Sequence, residues 1–278
     1  MNIADLQLGK ADFGGTPVTL ERVGNAFDLL RAMVKDVRPA GVAMVELGDI
    51  CEQVSCFYDS QTYTVDLNLT EQIETADNVM LEGVHSVFEY APRVLVGAVP
   101  SNHGEFRVAK GTTATDRARD NIDLVIANNL AKIMAANPDR YGHVEVWKPP
   151  TQGGDPYVLT LDLDGVMVGW THGHQVKAMG KGRMAGLEQW WHNHQWSDRK
   201  RPRGENLPTV ADCDILNTGH GHTFLVSEQT GKLLIQSPAG ETGSEYFSTS
   251  TGNRSSAGVL TYQVSDRWPL LANHFEIL

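Results

Sequence analysis

Residues 43–52 read AMVELGDICE, in which a short apolar run is followed at once by glycine and a cluster of polar side chains. The apolar run is too brief for a helix and predicts a buried strand over residues 43–47. The same arrangement occurs at four other places, where polar residues follow the apolar runs at residues 3–4, 93–99, 166–170 and 215–216. Because ligands gather beyond the carboxyl ends of strands in open α/β sheets, the five polar clusters are predicted to converge.

Hydrophobic periodicity predicts an α/β chain with a β-rich second half. Apolar residues at helical spacing predict helices over residues 18–37, 71–90 and 116–136, and a further helix near residues 181–195. Asp164-Gly165 predicts a hairpin turn between strands at residues 157–163 and 166–170, with further strands near residues 233–236 and 259–264. No repeat or linker divides the chain, which predicts a single domain over residues 1–278. Four residues precede Asp5, fewer than an average inner strand has, so we expect the first strand to be truncated.

The composition predicts a folded protein, and the first residues and the lack of a long apolar run make the cytoplasm its expected location. The chain has 278 residues, of which 41% are hydrophobic and 21% charged. It contains no apolar run approaching the roughly 18 residues of a membrane span, and its first residues lack a secretory signal. Cys51, Cys56 and Cys213 form no CxxC group and are expected to be reduced thiols. The net charge of −11 argues against a protein that binds nucleic acid over its whole surface, although it allows a local cationic site.

The polar clusters contain the side chains that bind divalent metals. Carboxylates, amide oxygens and neutral imidazoles suit Mn²⁺, Fe²⁺ and Zn²⁺, and Mn²⁺ is the first choice here. The candidate ligands are Asp5, Gln7, Asp49, Asn102, His172, His220 and His222. Seven ligands suffice for two ions if Asp49 bridges them, which is an arrangement that hydrolyses phosphate esters. Taken alone, Asp5 is more typical of a turn or helix-capping carboxylate than of a metal ligand, and it is the pattern of the five clusters that favours the ligand.

In sequence order, the five clusters resemble the motifs of the calcineurin-like metallophosphoesterases. The family motifs DxH, GDxxD, GNHD/E, a histidine often followed by glycine, and GHxH correspond to DLQ, GDICE, SNHGE, HGH and GHGH between Asp5 and His222. The resemblance implies a four-layer α-β-β-α sandwich, in which two mixed sheets pack together between helices. It also implies hydrolysis of phosphodiesters by a two-metal mechanism.

The resemblance also assigns roles to individual residues. It places Asp5, Gln7, Asp49 and His222 around one metal, and Asp49, Asn102, His172 and His220 around the other. His103 would contact the substrate phosphate and protonate the leaving oxygen. Glu52, Glu105 and His174 would support these residues, with Glu52 or Glu105 favouring the charged form of His103. For Glu105 and His174, merely local hydrogen bonding is the alternative.

Three positions depart from the family pattern. Gln7 stands where the family usually has histidine, so a weaker, neutral amide oxygen would bind the first metal. Glu52 replaces the usual aspartate of the second motif, at a supporting position. Ser101 replaces the glycine before Asn102, which requires a less strained turn.

The resemblance leaves the substrate open. DNA is the first choice, by analogy with the repair exonuclease branch and with related chains of bacteriophages, whose products act inside the host cell. A small phosphodiester or a phosphomonoester is the alternative, for which the acidic surface is less of a handicap. A second alternative is a weakly active, metal-stabilised protein that binds nucleic acid or a protein, and a homodimer or other protein partner is left open.

Three further segments have weaker signals. His192 and His194 form a second HxH, but helical spacing and neighbouring tryptophans favour packing over metal binding there. The basic run DRKRPR at residues 198–203 is typical of a solvated surface, and the alternative is contact with a nucleic-acid backbone, with Trp190, Trp191 or Trp196 stacking on bases. The GSEYF stretch at residues 243–247 is assigned no chemistry.

Overall fold

Two mixed β-sheets pack face to face in the computed structural model, which describes residues 1–113, 116–152, 154–177, 182–198, 208–241, 243, 256–265 and 276–278. The first sheet has the strand order β13-β12-β1-β2-β3-β6 and the second has the order β10-β11-β9-β8-β7. The strands are β1 (Asn2–Ile3), β2 (Val42–Glu46), β3 (Val94–Ala98), β4 (Arg107–Ala109), β5 (Thr112–Thr113), β6 (Val144–Trp147), β7 (Leu159–Leu163), β8 (Val166–Thr171), β9 (Ile215–Thr218), β10 (Leu225–Gln229), β11 (Lys232–Gln236), β12 (Leu260–Thr261) and β13 (Glu276–Ile277). The helices are α1 (Gly15–Val37), α2 (Leu69–Val87), α3 (Ile122–Ala136), α4 (Pro138–Tyr141) and α5 (Arg183–Asp198).

Three apolar layers bury both faces of each sheet. The first lies between α1, α2 and the first sheet and includes Phe27, Met44 and Val84. The second lies between the sheets, where Val45 and Trp170 are almost fully buried. The third includes Leu187 and Trp191, which pack α5 onto the second sheet. The predicted four-layer α-β-β-α architecture is therefore confirmed.

Parallel pairing brings the strand ends to one edge of each sheet. In the first sheet β1, β2, β3 and β6 run parallel, and in the second β8, β9 and β11 run parallel. The largely apolar strands β2 and β3, with the sequences VAMVE and VLVGA, are typical of strands with both faces covered. The polar clusters of the sequence follow the carboxyl ends of five of these strands.

Local sequence signals explain most element boundaries. Asn68 and Glu71 form a capping box at the start of α2. The side chain of Asn121 accepts from the backbone N–H of Asp123, so α3 begins at residue 122 rather than at the predicted residue 116. Asp164 and Gly165 both adopt positive φ angles between β7 and β8, as a type I′ hairpin requires.

Strands β6 and β10, like the short strands β4, β5 and β13, lacked a recognisable sequence signal. Strand β6 has the sequence VEVW, with only its first residue buried, and β10 has exposed or half-buried residues throughout. Both are end strands of their sheets, so part of their surface faces solvent and the apolar pattern is weak. Among the described residues, none of the helices has the length and apolar character that crossing a membrane requires.

A buried polar network joins the two sheets. The Asn2 side chain donates to Asn217 Oδ1 at 2.8 Å, and its oxygen accepts from Trp170 Nε1 at 3.0 Å. Asn217 Oδ1 also accepts from the Tyr262 hydroxyl at 3.0 Å, and the Asn217 amide donates to Gly169 O at 3.2 Å. Since each group is withdrawn from water, the network stabilises the fold only while all its members are present.

We expect Asn2→Ala to lower the free energy of unfolding by about 1–3 kcal/mol, because it leaves the buried Trp170 Nε1 without its acceptor and removes one of the two donors to Asn217 Oδ1. Urea denaturation measures this change. The matched control is Asn78→Ala at an exposed position of α2, which should change stability by less than about 0.5 kcal/mol. Equal effects of the two substitutions would contradict a stabilising role of the network.

Candidate metal centre

Polar clusters from both sheets meet at a single site. Past the strand ends, Asp5 N donates to Gly48 O at 3.0 Å and Gln7 N donates to Asp49 O at 2.9 Å. From the second sheet, the backbone N–H of His220 donates to Asp5 Oδ2 at 2.9 Å. The structure therefore brings together residues that are more than two hundred positions apart in the sequence.

His172 lies at the centre of this site and is fully buried. Its Nδ1 lies 2.7 Å from Leu47 O, and a carbonyl only accepts, so Nδ1 carries the hydrogen. The Nε2 atom lies 3.1 Å from Asp49 Oδ2, 3.0 Å from Asn102 Oδ1 and 3.2 Å from His220 Nδ1. A proton on Nε2 can form a hydrogen bond to one of these three atoms, whereas a divalent cation can be bound by Nε2 and all three of them.

The donor set around His172 fits a divalent cation. Within the described part of the chain, ligand atoms of Asp49, His172 and His220 lie within 4.8 Å of one another. Two ligands at right angles, each about 2.1 Å from an ion, are separated by about 3 Å, which matches the contacts of His172 Nε2. The set combines a carboxylate, two imidazoles and the Asn102 amide oxygen, which suits Mn²⁺, Fe²⁺ or Zn²⁺.

Burial and neighbouring charges set the ionisation of this group. Burial would raise the pKa of Asp49, but the imidazoles of His172 and His103 lower it well below its usual value. Burial would lower the pKa of His172, but the Asp49 carboxylate raises it above its usual value. Burial and the neighbouring His172 lower the pKa of His220 to about 2 and that of His174 to about 3. His220 therefore stays neutral at pH 7, which is the form that binds metal.

Asp5 and His222 form a second group beside the first. His222 Nε2 lies 3.2 Å from Asp5 Oδ1, and His222 Nδ1 lies 3.0 Å from Glu241 Oε1. Burial would lower the pKa of His222, but Asp5 and Glu241 raise it to about 10. Gln7 Oε1, the predicted ligand atom, accepts from Lys10 Nζ at 2.8 Å. Of the seven predicted ligands, His172 and three others therefore form the first group. The remaining three, Asp5, Gln7 and His222, lie in the second group beside Lys10 and Glu241.

Several predicted ligands have strained backbones. Non-glycine residues rarely adopt a left-handed conformation, which costs about 1 kcal/mol or more. The φ angles are 52° at Asp5, 43° at Gln7, 56° at Asp49, 61° at His220 and 54° at His222. Such strain concentrates at functional sites, where the surrounding structure enforces it.

His103 lies next to Asp49, and its ring nitrogen Nδ1 contacts Glu52. Its backbone N–H donates to Asp49 Oδ1 at 2.8 Å. Its Nδ1 lies 2.9 Å from Glu52 O and 3.4 Å from Glu52 Oε2, and its ring stacks on Phe57 with centroids 4.4 Å apart. Burial raises the pKa of Glu52, against the opposing effect of His103. These contacts fix the ring and leave Nε2 as the nitrogen available to a substrate.

The Glu105 carboxylate contacts Arg107 and lies close to His174. Its Oε2 accepts from Arg107 Nη2 at 2.9 Å, and its Oε1 lies 3.8 Å from His174 Nε2. The His174 ring contacts that of His172, with centroids 5.4 Å apart. Glu105 and His174 thus border the site as a connected pair, while Glu52 is the acid that contacts His103.

The turn that carries Asn102 and His103 is anchored to the start of α3. Ser101 Oγ donates to Asp123 Oδ2 at 2.5 Å and accepts from Gly104 N at 3.0 Å. A side chain at residue 104 would collide with Asn121 Oδ1, 2.1 Å from an ideal Cβ, so the turn requires glycine there. Ser101, which departs from the family pattern, therefore provides a hydrogen bond that glycine lacks.

Five residues at the site escaped the sequence analysis: Lys10, Glu46, Asp123, Arg183 and Glu241. Glu46 had a signal, since it is a charged residue within an apolar strand; it is buried, and its Oε1 accepts from Gly48 N. Lys10 and Glu241 had none, because they are 231 positions apart and meet only in the fold.

The segments with weaker signals add no metal ligands. His192 accepts from Trp196 Nε1 at 3.0 Å, and the His194 ring lies 4.5 Å from that of Trp190, centroid to centroid. These are local contacts along α5, consistent with the packing interpretation. The basic run lies outside the described residues except for the backbone of residue 198, and only Gly243 of the GSEYF stretch is described.

We expect Asp123 to make folding stability depend on pH. Burial raises its pKa to about 7, against the opposing effect of the Ser101 hydroxyl, while an unfolded aspartate titrates near pH 4. Between these pH values the folded state binds more protons than the unfolded state, so stability falls as the pH rises, with a slope of at most about 1.4 kcal/mol per unit.

Asp123→Asn removes this slope. Urea denaturation of both proteins at several pH values between 4.5 and 7.5, in chelator, measures the difference. Parallel pH profiles for the two proteins would show that Asp123 titrates normally.

No protein-family model matches the chain, and no curated protein sequence matches it. Solved structures to which the chain is similar include vacuolar protein sorting 29 from Cryptosporidium parvum, which is 16% identical, with 88% of this chain and 76% of that chain covered and a TM-score of 0.37. A novel archaeal phosphodiesterase is 13% identical, with 77% and 76% covered and a TM-score of 0.30. Phosphopantetheinyl hydrolase from Mycobacterium tuberculosis is 12% identical, with 91% and 92% covered and a TM-score of 0.33. At these identities and TM-scores the similarities carry no argument about activity, which rests on the chain's own residues.

Proposed function

We propose that the chain is a divalent-metal-dependent phosphoesterase of the calcineurin-like type that hydrolyses phosphodiesters. One observation carries the proposal: Asp49, Asn102 and His220 all direct ligand atoms at His172 Nε2. The other ring nitrogen of His172, Nδ1, is held by a hydrogen bond to Leu47 O. A buried arrangement of this kind is stable when a cation satisfies it. The sequence motifs that led to this site also match the phosphoesterase pattern in order.

The proposed chemistry divides between the metal and the side chains. A bound divalent metal lowers the pKa of water and stabilises charge on the phosphate oxygens. Asp49 and Asn102 would hold the metal from the first sheet, and His172 and His220 would hold it from the second.

His103 is the proposed general acid. Its Nδ1 donates to Glu52 O at 2.9 Å, and Glu52 Oε2 lies 3.4 Å from the same nitrogen. The stack on Phe57 keeps the ring from turning, so Nε2 delivers its proton in one direction, toward the leaving oxygen.

Arg183 supplies a further positive charge for the substrate phosphate. Its Nη2 donates to Gly173 O at 2.8 Å, between the metal ligand His172 and His174. The Arg183 Nε atom is buried and makes no hydrogen bond to the residues that the structure describes. Burial lowers the pKa of Arg183, which the Asp5 and Asp49 carboxylates oppose. A guanidinium that binds the backbone between His172 and His174 favours an anionic substrate through its charge.

The substrate class within phosphodiesters is a separate question. A DNA substrate, by analogy with the repair exonuclease branch, remains a prediction from the motifs. The basic run, for which contact with a nucleic-acid backbone was only the alternative interpretation, lies mainly outside the described residues. The net charge of −11 favours a small phosphodiester, because such a substrate buries little protein surface and meets less repulsion.

We expect His103→Ala to reduce hydrolysis of bis-p-nitrophenyl phosphate in Mn²⁺ by about 10²–10⁴-fold, because the leaving oxygen loses its proton donor. Metal binding, measured by calorimetry, should persist in this variant. His192→Ala, at an exposed histidine of α5, is the matched control and should leave the rate unchanged. A His103→Ala variant with the wild-type rate would remove His103 from the mechanism.

We expect Asp49→Asn to lose both Mn²⁺ binding and hydrolysis, because it removes the charged oxygen at the centre of the ligand set. Calorimetry and the chromogenic assay measure the two losses, and circular dichroism checks that the fold persists. Chelator should abolish wild-type hydrolysis reversibly. Strong metal binding without hydrolysis of any phosphate ester would instead support the metal-stabilised binding protein.

A panel of phosphate esters then separates the substrate classes. Linear, nicked and single-stranded DNA test nuclease activity, cyclic nucleotides test small phosphodiesters, and p-nitrophenyl phosphate tests monoesters. Cleavage of DNA with a higher kcat/KM than any small ester would establish the nuclease prediction, whereas the reverse order would establish the small-molecule alternative.

A further inference from the structure

We propose that the Lys10 ammonium takes the place of a second metal ion, so that the centre binds one divalent cation, at Asp49, Asn102, His172 and His220. This inference rests on the proposed function and differs from the two-ion arrangement that the motifs imply. It concerns the group formed by Asp5, Gln7 and His222, which the family pattern assigns to the other metal.

Lys10 is held firmly between two partners. Its Nζ donates to Gln7 Oε1 at 2.8 Å and to Glu241 Oε2 at 2.9 Å. The side chains of Lys10 and Glu241 are only 12% and 3% exposed, so this ion pair is poorly screened by water. The pair therefore places a fixed positive charge next to the amide that stands at a ligand position.

The backbone makes this arrangement local to one turn. Lys10 N donates to Gln7 O at 3.0 Å, closing a turn that contains Gly9 with a φ of 103°. A Cβ at residue 9 would lie 2.2 Å from the Gln72 side chain, so the turn also requires the absence of a side chain there. The turn over residues 7–10 thus fixes the position of Lys10 relative to Gln7.

Glu241 links Lys10 to the remaining members of the group. Its backbone N–H donates to Asp5 O at 3.1 Å, and its Oε1 lies 3.0 Å from His222 Nδ1. The far nitrogen of His222 lies 3.2 Å from Asp5 Oδ1, and Asp5 Oδ2 accepts from His220 N at 2.9 Å. Lys10, Glu241, His222 and Asp5 therefore form a continuous chain of opposite charges and hydrogen-bond partners.

The group around His172 and the group around Gln7 differ in whether a positive charge already contacts their ligand atoms. Around His172 Nε2, the Asp49 and Asn102 oxygens converge and need a cation between them. Around Gln7, the ammonium of Lys10 already satisfies the amide oxygen. A divalent ion there would have a neutral ligand in place of histidine and would be repelled by the nearby lysine.

Metal stoichiometry tests this inference directly. We expect calorimetry and elemental analysis of the full chain to give one Mn²⁺ per molecule, and electron paramagnetic resonance to show an uncoupled Mn²⁺ spectrum. The double substitution Gln7→His with Lys10→Met restores the ligand and removes the charge, so it should bind a second Mn²⁺ and give an exchange-coupled spectrum. Lys132→Met, at an exposed position of α3, is the matched control and should bind one ion.

Each outcome has a distinct meaning. Two Mn²⁺ per wild-type chain would overturn this inference and leave the proposed function intact, and this measurement does not depend on the variant folding. A folded double variant that still binds only one ion would overturn the role of Lys10. A wild-type chain that binds no divalent metal would overturn the proposed function itself.

Discussion

The site depends on one hydrogen bond between the sheets, from His172 Nδ1 to Leu47 O at 2.7 Å. Leu47 directly follows β2 of the first sheet, whereas His172 follows β8 of the second. The bond sets the tautomer of the ring and directs Nε2 toward Asp49 and Asn102. Because a ligand from one sheet is oriented by the backbone of the other, the geometry of the centre is a property of the packed pair of sheets.

The sequence is informative where function depends on residues adjacent to a strand end. Asp49 and His172 were recognisable because each follows a short apolar run, and parallel strands place such positions at one edge. Hydrophobic periodicity predicted an α/β chain with a β-rich second half, whereas the four-layer arrangement followed from the resemblance of the motifs. The contact between Lys10 and Glu241 was not predictable, because it depends on how the chain returns to β1 after β11. A single sequence has no signal for two residues so far apart along the chain. End strands such as β6 were also missed, since partial exposure removes the apolar pattern.

The site combines several features that oppose folding. Backbone strain occurs at ligand positions, and the buried carboxyl groups of Glu46 and Asp123 lie close to Asp49. Burial and the neighbouring Asp123 raise the pKa of Glu46 well above its usual value, so a proton offsets charge that the interior disfavours. A bound cation would relieve the remaining repulsion, and binding would then stabilise the folded state through linkage. Arrangements of this kind are retained where catalysis or binding requires them.

The polar network of Asn2, Asn217, Trp170 and Tyr262 has a consequence for how the molecule assembles. Its donors and acceptors match only when β1 of one sheet faces β8 and β9 of the other in the correct alignment. A shift of one residue along a strand would leave these groups unsatisfied in an apolar layer. The network thus specifies the alignment of the two sheets, and the ligands come together only in that alignment.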